Sequence, residues 1–179
     1  VLNLTRPYQH FEVSRAALLA GKHVYSEKPL GADFEEGTEL VRLAKERGLW
    51  IGGAPDTFMG AGIQTCRKFI DEGRLGDVIG GRCVMAHRGV ESWHPDPDFY
   101  YQRGGGPLLD MGPYYITALI NLLGEVKKVY GTSRTTFDER LITAKPHEGE
   151  TIKVSVPTHY ECLLTFTSGA TVSFMTTFD

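Results

Sequence analysis

The sequence predicts a parallel α/β sheet at its beginning, followed by a second part built from helices and strands. Short apolar segments alternate with helical segments over residues 1–53, which is typical of a parallel sheet with right-handed crossovers. From Ala54 onward this alternation stops, and Thr167-Ser168-Gly169-Ala170 is a hairpin signal between two strand-like segments. We therefore expect two domains, residues 1–54 and residues 55–179.

Glycines and a capping box define the elements of the first part. Gly21 and Gly48 end the helices because glycine adopts the left-handed conformation easily, and Asp33 with Glu36 is a capping box. In chain order the predicted elements are a strand at 1–4, a helix at 10–20, a strand at 23–25, a helix at 34–47 and a strand at 49–53.

The second part has a long aromatic loop between its first strand and its main helix. Gly112-Pro113 near the start of that helix predicts an irregular first turn, or a helix that begins at Pro113. Residues 138–156 are polar and weakly patterned, so we predict an irregular excursion there. The predicted elements are helices at 62–72 and 108–123 and strands at 78–88, 126–136, 158–166 and 171–178, with the loop at 91–106.

Both ends of the sequence have the pattern of a strand. Val1-Leu2-Asn3-Leu4 is typical of an interior strand, and the last residues, from Phe174 to Asp179, continue a strand pattern. We therefore expect a preceding strand for this segment to pair with, and a continuation after Asp179.

The composition indicates a protein that binds small molecules rather than nucleic acids or membranes. The net charge is -3 and the pI about 6.1, without basic blocks or an apolar run long enough for a bilayer. Cys66, Cys83 and Cys162 are widely spaced and form no CxxC pair. We therefore predict reduced thiols, a cytoplasmic location and no disulfide framework.

The segment Tyr25-Ser26-Glu27-Lys28-Pro29-Leu30 brings a charged pair to the end of the second strand. Pro29 prevents the strand from continuing and favours extended geometry at Lys28. In open α/β sheets the carboxyl ends of strands are where ligands bind. Glu27 and Lys28 are therefore candidate site residues, and the alternative is that they form the charged edge of a loop.

Two motifs resemble the Gfo/Idh/MocA family of NAD(P)-dependent oxidoreductases: the run from Thr5 to Leu30, containing Glu27-Lys28-Pro29, and the run Gly104 to Gly112. The resemblance implies an N-terminal Rossmann domain with a GxGxxG phosphate loop before Val1, and a second domain with an open, mainly antiparallel sheet that often forms the subunit interface. We therefore expect a homodimer or homotetramer joined through that sheet. The implied activity is oxidation or reduction of a hydroxyl or carbonyl carbon in a sugar-like substrate with NAD or NADP.

The resemblance also implies residue roles. Lys28 lies beside the nicotinamide and the reacting oxygen, where an ammonium polarises the oxygen and relays its proton, and Glu27 holds the lysine or a ribose. Further cofactor-side positions are Asn3, Thr5, Pro7 and His10, with capping of its helix as an alternative role for His10.

Asp110 matches a family position that is usually followed, one helical turn later, by a histidine. Here that residue is Tyr114. A phenol ordinarily titrates near 10, and a neighbouring Lys28 ammonium would favour its phenolate. We therefore assign Lys28, Asp110 and Tyr114 to catalysis, with Tyr115 packing against the sheet.

The aromatic loop offers flat faces with polar edges, as a sugar ring requires. We predict substrate contacts from Trp93, His94 and Tyr101, together with Asp110; the alternative is that the aromatic residues only pack the loop. No second ligand lies at a useful spacing from His94, so we predict no metal site. Arg6 replaces the proline common in the family, and it either reaches an anionic group or stays solvated.

The leading hypothesis is an NAD(P)-dependent dehydrogenase or reductase of a sugar or polyol. The alternative is a ligand-binding or regulatory protein that retains the fold without the chemistry. We expect the 179-residue stretch alone, without the glycine loop, to bind NAD(P) weakly and to be inactive.

Overall fold

The computed structural model of the protein describes all 179 residues. Its first part is a three-stranded parallel sheet, ordered β1-β2-β3, with one helix in each connection. In chain order the elements are β1 (Leu2–Asn3), α1 (His10–Leu19), β2 (Val24–Ser26), α2 (Phe34–Glu46) and β3 (Ile51–Gly53). The two predicted strand-helix-strand units are confirmed.

The predicted local signals end and begin these helices. Gly21 and Gly48 follow α1 and α2 with φ of 72° and 63°, the left-handed conformation in which a helix commonly ends. The Asp33 carboxylate accepts a hydrogen bond from the Glu36 amide at 2.9 Å, whereas the Glu36 carboxylate accepts one from the Ala32 amide at 2.8 Å. The helix cap is therefore confirmed, with its return bond one residue earlier than in the standard capping box.

The second part is organised around a four-stranded sheet in the order β4-β9-β8-β5. The β5-β8 and β8-β9 pairs are antiparallel and the β4-β9 pair is parallel, so the sheet is mainly antiparallel, as expected. None of the helices has the length and apolar character needed to cross a bilayer. The elements are α3 (Ala61–Asp71), β4 (Gly80–Ala86), α4 (Gly106–Asp110), α5 (Gly112–Leu123), β5 (Val126–Arg134), β6 (Glu139–Leu141), β7 (Thr151–Lys153), β8 (His159–Phe166) and β9 (Thr171–Thr177).

The helix predicted from Leu108 is two helices. Helix α4 ends at Asp110, and α5 starts at Gly112 after the single residue Met111. Pro113 has no amide hydrogen, so the helical hydrogen bond that would join the two segments at this position cannot form. This break is the irregular turn that Gly112-Pro113 predicts.

The prediction of an irregular excursion at residues 138–156 is wrong. Strands β6 and β7 pair there as an antiparallel ribbon. Ile142, Ile152 and Val154 are buried in a hydrophobic cluster with Tyr101 and Phe178. The strands are short and mostly exposed, so their sequence pattern is weak, and the ribbon is held by packing against distant segments.

The two faces of the four-stranded sheet differ in their environment. On one face Leu164, Val172 and Phe174 pack against α5. On the other face Val84 and Leu163 remain exposed, because successive strand residues point to opposite faces. This leaves an open, partly apolar sheet surface.

A buried ionic network joins the aromatic loop to the β6-β7 ribbon. Arg140 donates to the Glu91 carboxylate at 3.0 Å and to the Phe178 carbonyl at 2.7 Å, and it also pairs with Asp179. The Tyr101 hydroxyl donates to the same Glu91 carboxylate. Since Arg140 and Glu91 are buried, this network fixes the loop to the core.

Candidate active site

A cleft of about 350 Å³ opens at the carboxyl ends of β1 and β2, facing the junction of α4 and α5. Ligands of open α/β sheets bind at this edge because the loops that follow the strands converge there. The cleft is lined by Thr5, Arg6, Pro7, His10, Glu27, Lys28, Pro29, Phe99, Tyr100, Gly104, Gly105, Asp110 and Tyr114.

Lys28 and Asp110 form the central contact of the cleft. The Lys28 Nζ donates to the Asp110 Oδ1 and to the Asp110 carbonyl, each at 2.6 Å. Their side chains are 14% and 15% exposed, so the pair is partly shielded from solvent yet open to the cleft. Glu27 does not contact the ammonium, whose partners are both on Asp110; its carboxylate accepts a hydrogen bond from the Lys28 backbone amide at 2.5 Å.

Tyr114 lies beside Lys28, as the one-turn spacing from Asp110 predicts, with the Lys28 Nζ 5.2 Å from the centre of its ring. The expected shift toward the phenolate is wrong. Burial, with the carboxylates of Glu27, Asp110 and Asp56, raises the pKa of Tyr114 above its usual value of 10.0. The ammonium is already paired with Asp110 and faces the ring rather than stabilising a phenolate. Tyr114 therefore stays protonated at neutral pH and is a hydrogen-bond donor.

Tyr115, the neighbouring tyrosine, packs against hydrophobic clusters on the sheet side of α5. This arrangement matches the packing role that the sequence suggests for Tyr115.

Asn3 and His10 brace the cleft from within the fold. The Asn3 amide donates to the His10 carbonyl at 3.0 Å and to the Ser14 hydroxyl at 2.9 Å, and its carbonyl accepts from the Thr5 hydroxyl at 2.7 Å. The His10 ring nitrogens lie 2.6 Å and 2.8 Å from the carbonyls of Pro29 and Thr5. Since internal partners occupy the polar atoms of both side chains, they position the ends of β1 and β2. Asn3 lies behind the cleft lining whereas His10 is part of it, and the His10 ring caps no helix.

The aromatic loop brings different residues to the cleft from those expected. Trp93 is 64% exposed, and His94 packs against Tyr100, with its Nδ1 accepting a hydrogen bond from the Asp96 amide. Tyr101 is fully buried. None of the three expected residues Trp93, His94 and Tyr101 lines the cleft.

Tyr100 and Phe99 line it instead. Residues 98–101 form a 3-10 helix, in which successive side chains are about 120° apart, so Tyr100 and Tyr101 point in different directions. Burial, followed by the charge of Asp110, raises the pKa of Tyr100 to about 12. The sequence signals a tyrosine pair, and only the turn geometry decides which member reaches the cleft.

We expect the Tyr100→Ala variant to raise the KM for substrate about twofold to tenfold, because an aromatic contact contributes about 0.5–1.5 kcal/mol. The Trp93→Ala variant is the matched control and should leave KM unchanged. Steady-state kinetics on both variants checks this, and a larger effect from Trp93 would contradict the lining described above.

Arg6 connects the two parts of the chain at the mouth of the cleft. Its guanidinium pairs with the Asp96 carboxylate in the aromatic loop. The guanidinium carbon also lies 4.7 Å from the centre of the Phe99 ring. Arg6 is thus partly exposed, but it is not an unpaired cation.

Comparisons with known proteins agree with this architecture. Residues 63–179 match the GFO/IDH/MocA C-terminal domain, and residues 1–52 match the oxidoreductase family with an NAD-binding Rossmann fold. D-xylose dehydrogenase of Paenarthrobacter nicotinovorans is 30% identical over 131 residues, covering 70% of this chain and 34% of that protein. Levoglucosan dehydrogenase of Pseudarthrobacter phenanthrenivorans is 26% identical over 187 residues, covering 95% of this chain and 47% of that protein.

Solved structures share the fold over the whole chain. A levoglucosan dehydrogenase in complex with NADH and L-sorbose superposes with a TM-score of 0.82 at 26% identity, over 99% of this chain and 48% of that one. An NAD-binding oxidoreductase from Klebsiella pneumoniae superposes with a TM-score of 0.83 at 23% identity, over 99% of this chain and 47% of that one. The chain spans between about a third and about half of the length of these proteins. Matched over both of its parts, the chain belongs to the Gfo/Idh/MocA family of oxidoreductases.

Proposed function

We propose that this chain forms the catalytic cleft of an NAD(P)-dependent oxidoreductase that transfers a hydride between a nicotinamide and a hydroxyl or carbonyl carbon of a sugar or polyol. The observation that carries the proposal is the Lys28 ammonium, held by Asp110 at 2.6 Å in a cleft at the carboxyl ends of parallel strands. The named relatives support the sugar class, because they are D-xylose and levoglucosan dehydrogenases.

The residues of the cleft suit a nicotinamide beside a hydroxylated substrate. Thr5, Pro7 and Glu27 follow the ends of β1 and β2, and the ring of Tyr100 faces the same space. We assign the cofactor contacts to Thr5, Pro7, Glu27 and Lys28, with either NAD or NADP as the cofactor. When bound, the nicotinamide accepts or supplies the hydride.

The chain's own residues handle the oxygen and its proton. The Lys28 ammonium polarises the reacting oxygen and stabilises the negative charge that develops on it. During alcohol oxidation Lys28 passes a proton to Asp110 as it takes the hydroxyl proton, and during reduction the proton returns by the same route. The protonated Tyr114 donates a second hydrogen bond to the oxygen.

We expect the Tyr114→Phe variant to lower kcat/KM about 10- to 100-fold, because a hydrogen bond to a charged group contributes about 1.5–3 kcal/mol. Stability should hold, since the ring remains. Because the pKa of Tyr114 is raised above 10.0, Tyr114 should produce no titration step in the rate profile at neutral pH. Kinetics as a function of pH checks both points, and full activity in the variant would remove Tyr114 from the mechanism.

The experiment that tests the proposed function is a turnover assay on the intact enzyme with NAD and NADP, each against a panel of neutral sugars and polyols. A change in nicotinamide absorbance with any of them supports the oxidoreductase. Cofactor binding without turnover across the panel would favour the non-catalytic, ligand-binding alternative.

We also propose a division of the chain near Ala54, assembly through the open sheet face, and a cytoplasmic location. The change from parallel to mainly antiparallel pairing after β3 supports the division. Exposed apolar residues on the sheet, such as Val84 and Leu163, suit contact with a second copy and thus a homodimer or homotetramer. The three free cysteines suit a reducing compartment.

A further inference from the structure

The cleft is lined by two cations and two carboxylates, and both cations are already paired. Lys28 is paired with Asp110, and Arg6 is paired with Asp96. Glu27 adds a further carboxylate to the lining. A ligand that carries its own carboxylate therefore finds no free cation there, and with Asp96 included it meets one more carboxylate than cations.

The ion pair between Arg6 and Asp96 is the part of this charge pattern that a substitution can change with little loss of stability. Arg6 lines the cleft, whereas Asp96 lies outside the lining, so the pair cancels a cation that would otherwise face the ligand. The side chains of Arg6 and Asp96 are 42% and 47% exposed, and a pair this exposed contributes little to stability. The guanidinium also lies over the ring of Phe99, a cation–π contact in which Asp96 takes no part.

The charges of the cleft also act on Tyr100. Its pKa is raised to about 12, first by burial and then by Asp110, while Arg6 acts in the opposite direction and Glu27 adds to the rise. Asp110 and Glu27 therefore act on Tyr100 in the opposite sense to Arg6.

Resting on the proposed function, we propose that Asp96 is a specificity-determining residue: by neutralising Arg6 it makes the cleft accept uncharged sugars and reject sugar acids. Removing the Asp96 charge leaves Arg6 stacked on Phe99 as an unpaired cation that can bind a substrate carboxylate. A cleft without the Asp96 charge should therefore accept uronates.

The test compares two matched ligand pairs on the intact enzyme loaded with cofactor: D-glucose with D-glucuronate, and D-galactose with D-galacturonate. Each pair differs by a carboxylate, so the ratio of the two affinities reports charge selectivity. Calorimetry gives the Kd and turnover gives kcat/KM. The variants are Asp96→Asn, Arg6→Gln and the double variant, with Asp98→Asn as a control that removes a charge from the same loop without touching Arg6.

The wild type should bind the neutral sugars better than the uronates. In Asp96→Asn the preference should move toward the uronates by about tenfold, the size of one partly screened charge interaction. In Arg6→Gln the preference should move further toward the neutral sugars, because the cation is lost while the Asp96 carboxylate remains. The double variant should lose the shift toward the uronates that Asp96→Asn shows. The Asp98→Asn variant should have the same preference as the wild type.

The two single variants should shift the preference between sugar and uronate in opposite directions, and this separates an effect of charge from a loss of structure. If Arg6 and Asp96 only join the two parts of the chain, both single variants weaken binding of both ligands in the same direction, and the proposal is overturned. Equal wild-type affinity for a sugar and its uronate overturns it as well. Failure of the proposed function has a different signature, which is no nicotinamide turnover with any neutral sugar, and it overturns both proposals.

Discussion

The Lys28→Ala variant of the intact enzyme should lower kcat about 10³-fold while KM changes by less than about tenfold. The reason is that the ammonium acts on charge that develops on the substrate oxygen in the transition state rather than on the bound ground state. The variant also removes the partner of the Asp110 carboxylate, which then adds an unpaired negative charge beside the reacting oxygen. Stopped-flow kinetics separates the chemical step from cofactor release.

Two further variants test whether the effect is specific to Lys28 and whether it depends on the charge of Asp110. Lys22→Ala removes an exposed lysine close to the start of β2 and should leave both constants unchanged. Asp110→Asn keeps the shape of the partner but removes its charge, so it should lower kcat without abolishing binding. An effect of Lys28→Ala confined to KM would reduce Lys28 to a binding residue.

The largest effect on stability should come from the Arg140→Met variant. Arg140 is buried, and methionine would leave the Glu91 and Asp179 carboxylates without their cation. Removal of one partner from a buried ion pair costs about 3–5 kcal/mol, because the remaining charge stays desolvated. Urea unfolding should show this loss in the free energy of unfolding.

The exposed pair of Arg42 and Glu46 on α2 provides the control for Arg140. Its side chains are 60% and 53% exposed, so the Arg42→Met change should cost less than about 1 kcal/mol. Similar losses in the two variants would mean that the Arg140 network does not hold the aromatic loop to the core.

Local sequence signals predicted those parts of the fold that depend on local conformation. Gly21, Gly48 and Asp33 mark helix ends because their conformational and capping preferences act within a few residues. The break at Gly112-Pro113 follows in the same way from a missing amide hydrogen. The β6-β7 ribbon was missed because packing against distant segments, rather than a strong pattern of its own, stabilises it.

The candidate site was predictable where a motif places residues near one another in sequence. Asp110 and Tyr114 share a helical turn, so their proximity follows from spacing, whereas the meeting of Lys28 with them is expected only from the family resemblance of the two motifs. The pKa of Tyr114 could not, because Glu27 and Asp56, which help to raise it, come from distant positions. Tyr100 lines the cleft in place of the predicted Tyr101 because of the direction in which a 3-10 turn points its side chains. Arg6 is neutralised by Asp96, which lies in a loop far along the chain.

The most direct test of the account follows the transferred hydrogen. The intact enzyme is incubated with oxidised NAD or NADP and neutral polyols that carry deuterium on their carbinol carbons, and the recovered cofactor is analysed by mass spectrometry. If this cleft transfers a hydride, deuterium appears in the reduced nicotinamide and not in the solvent. Deuterium released to water, or a cofactor that is reduced without label, would contradict hydride transfer in this cleft.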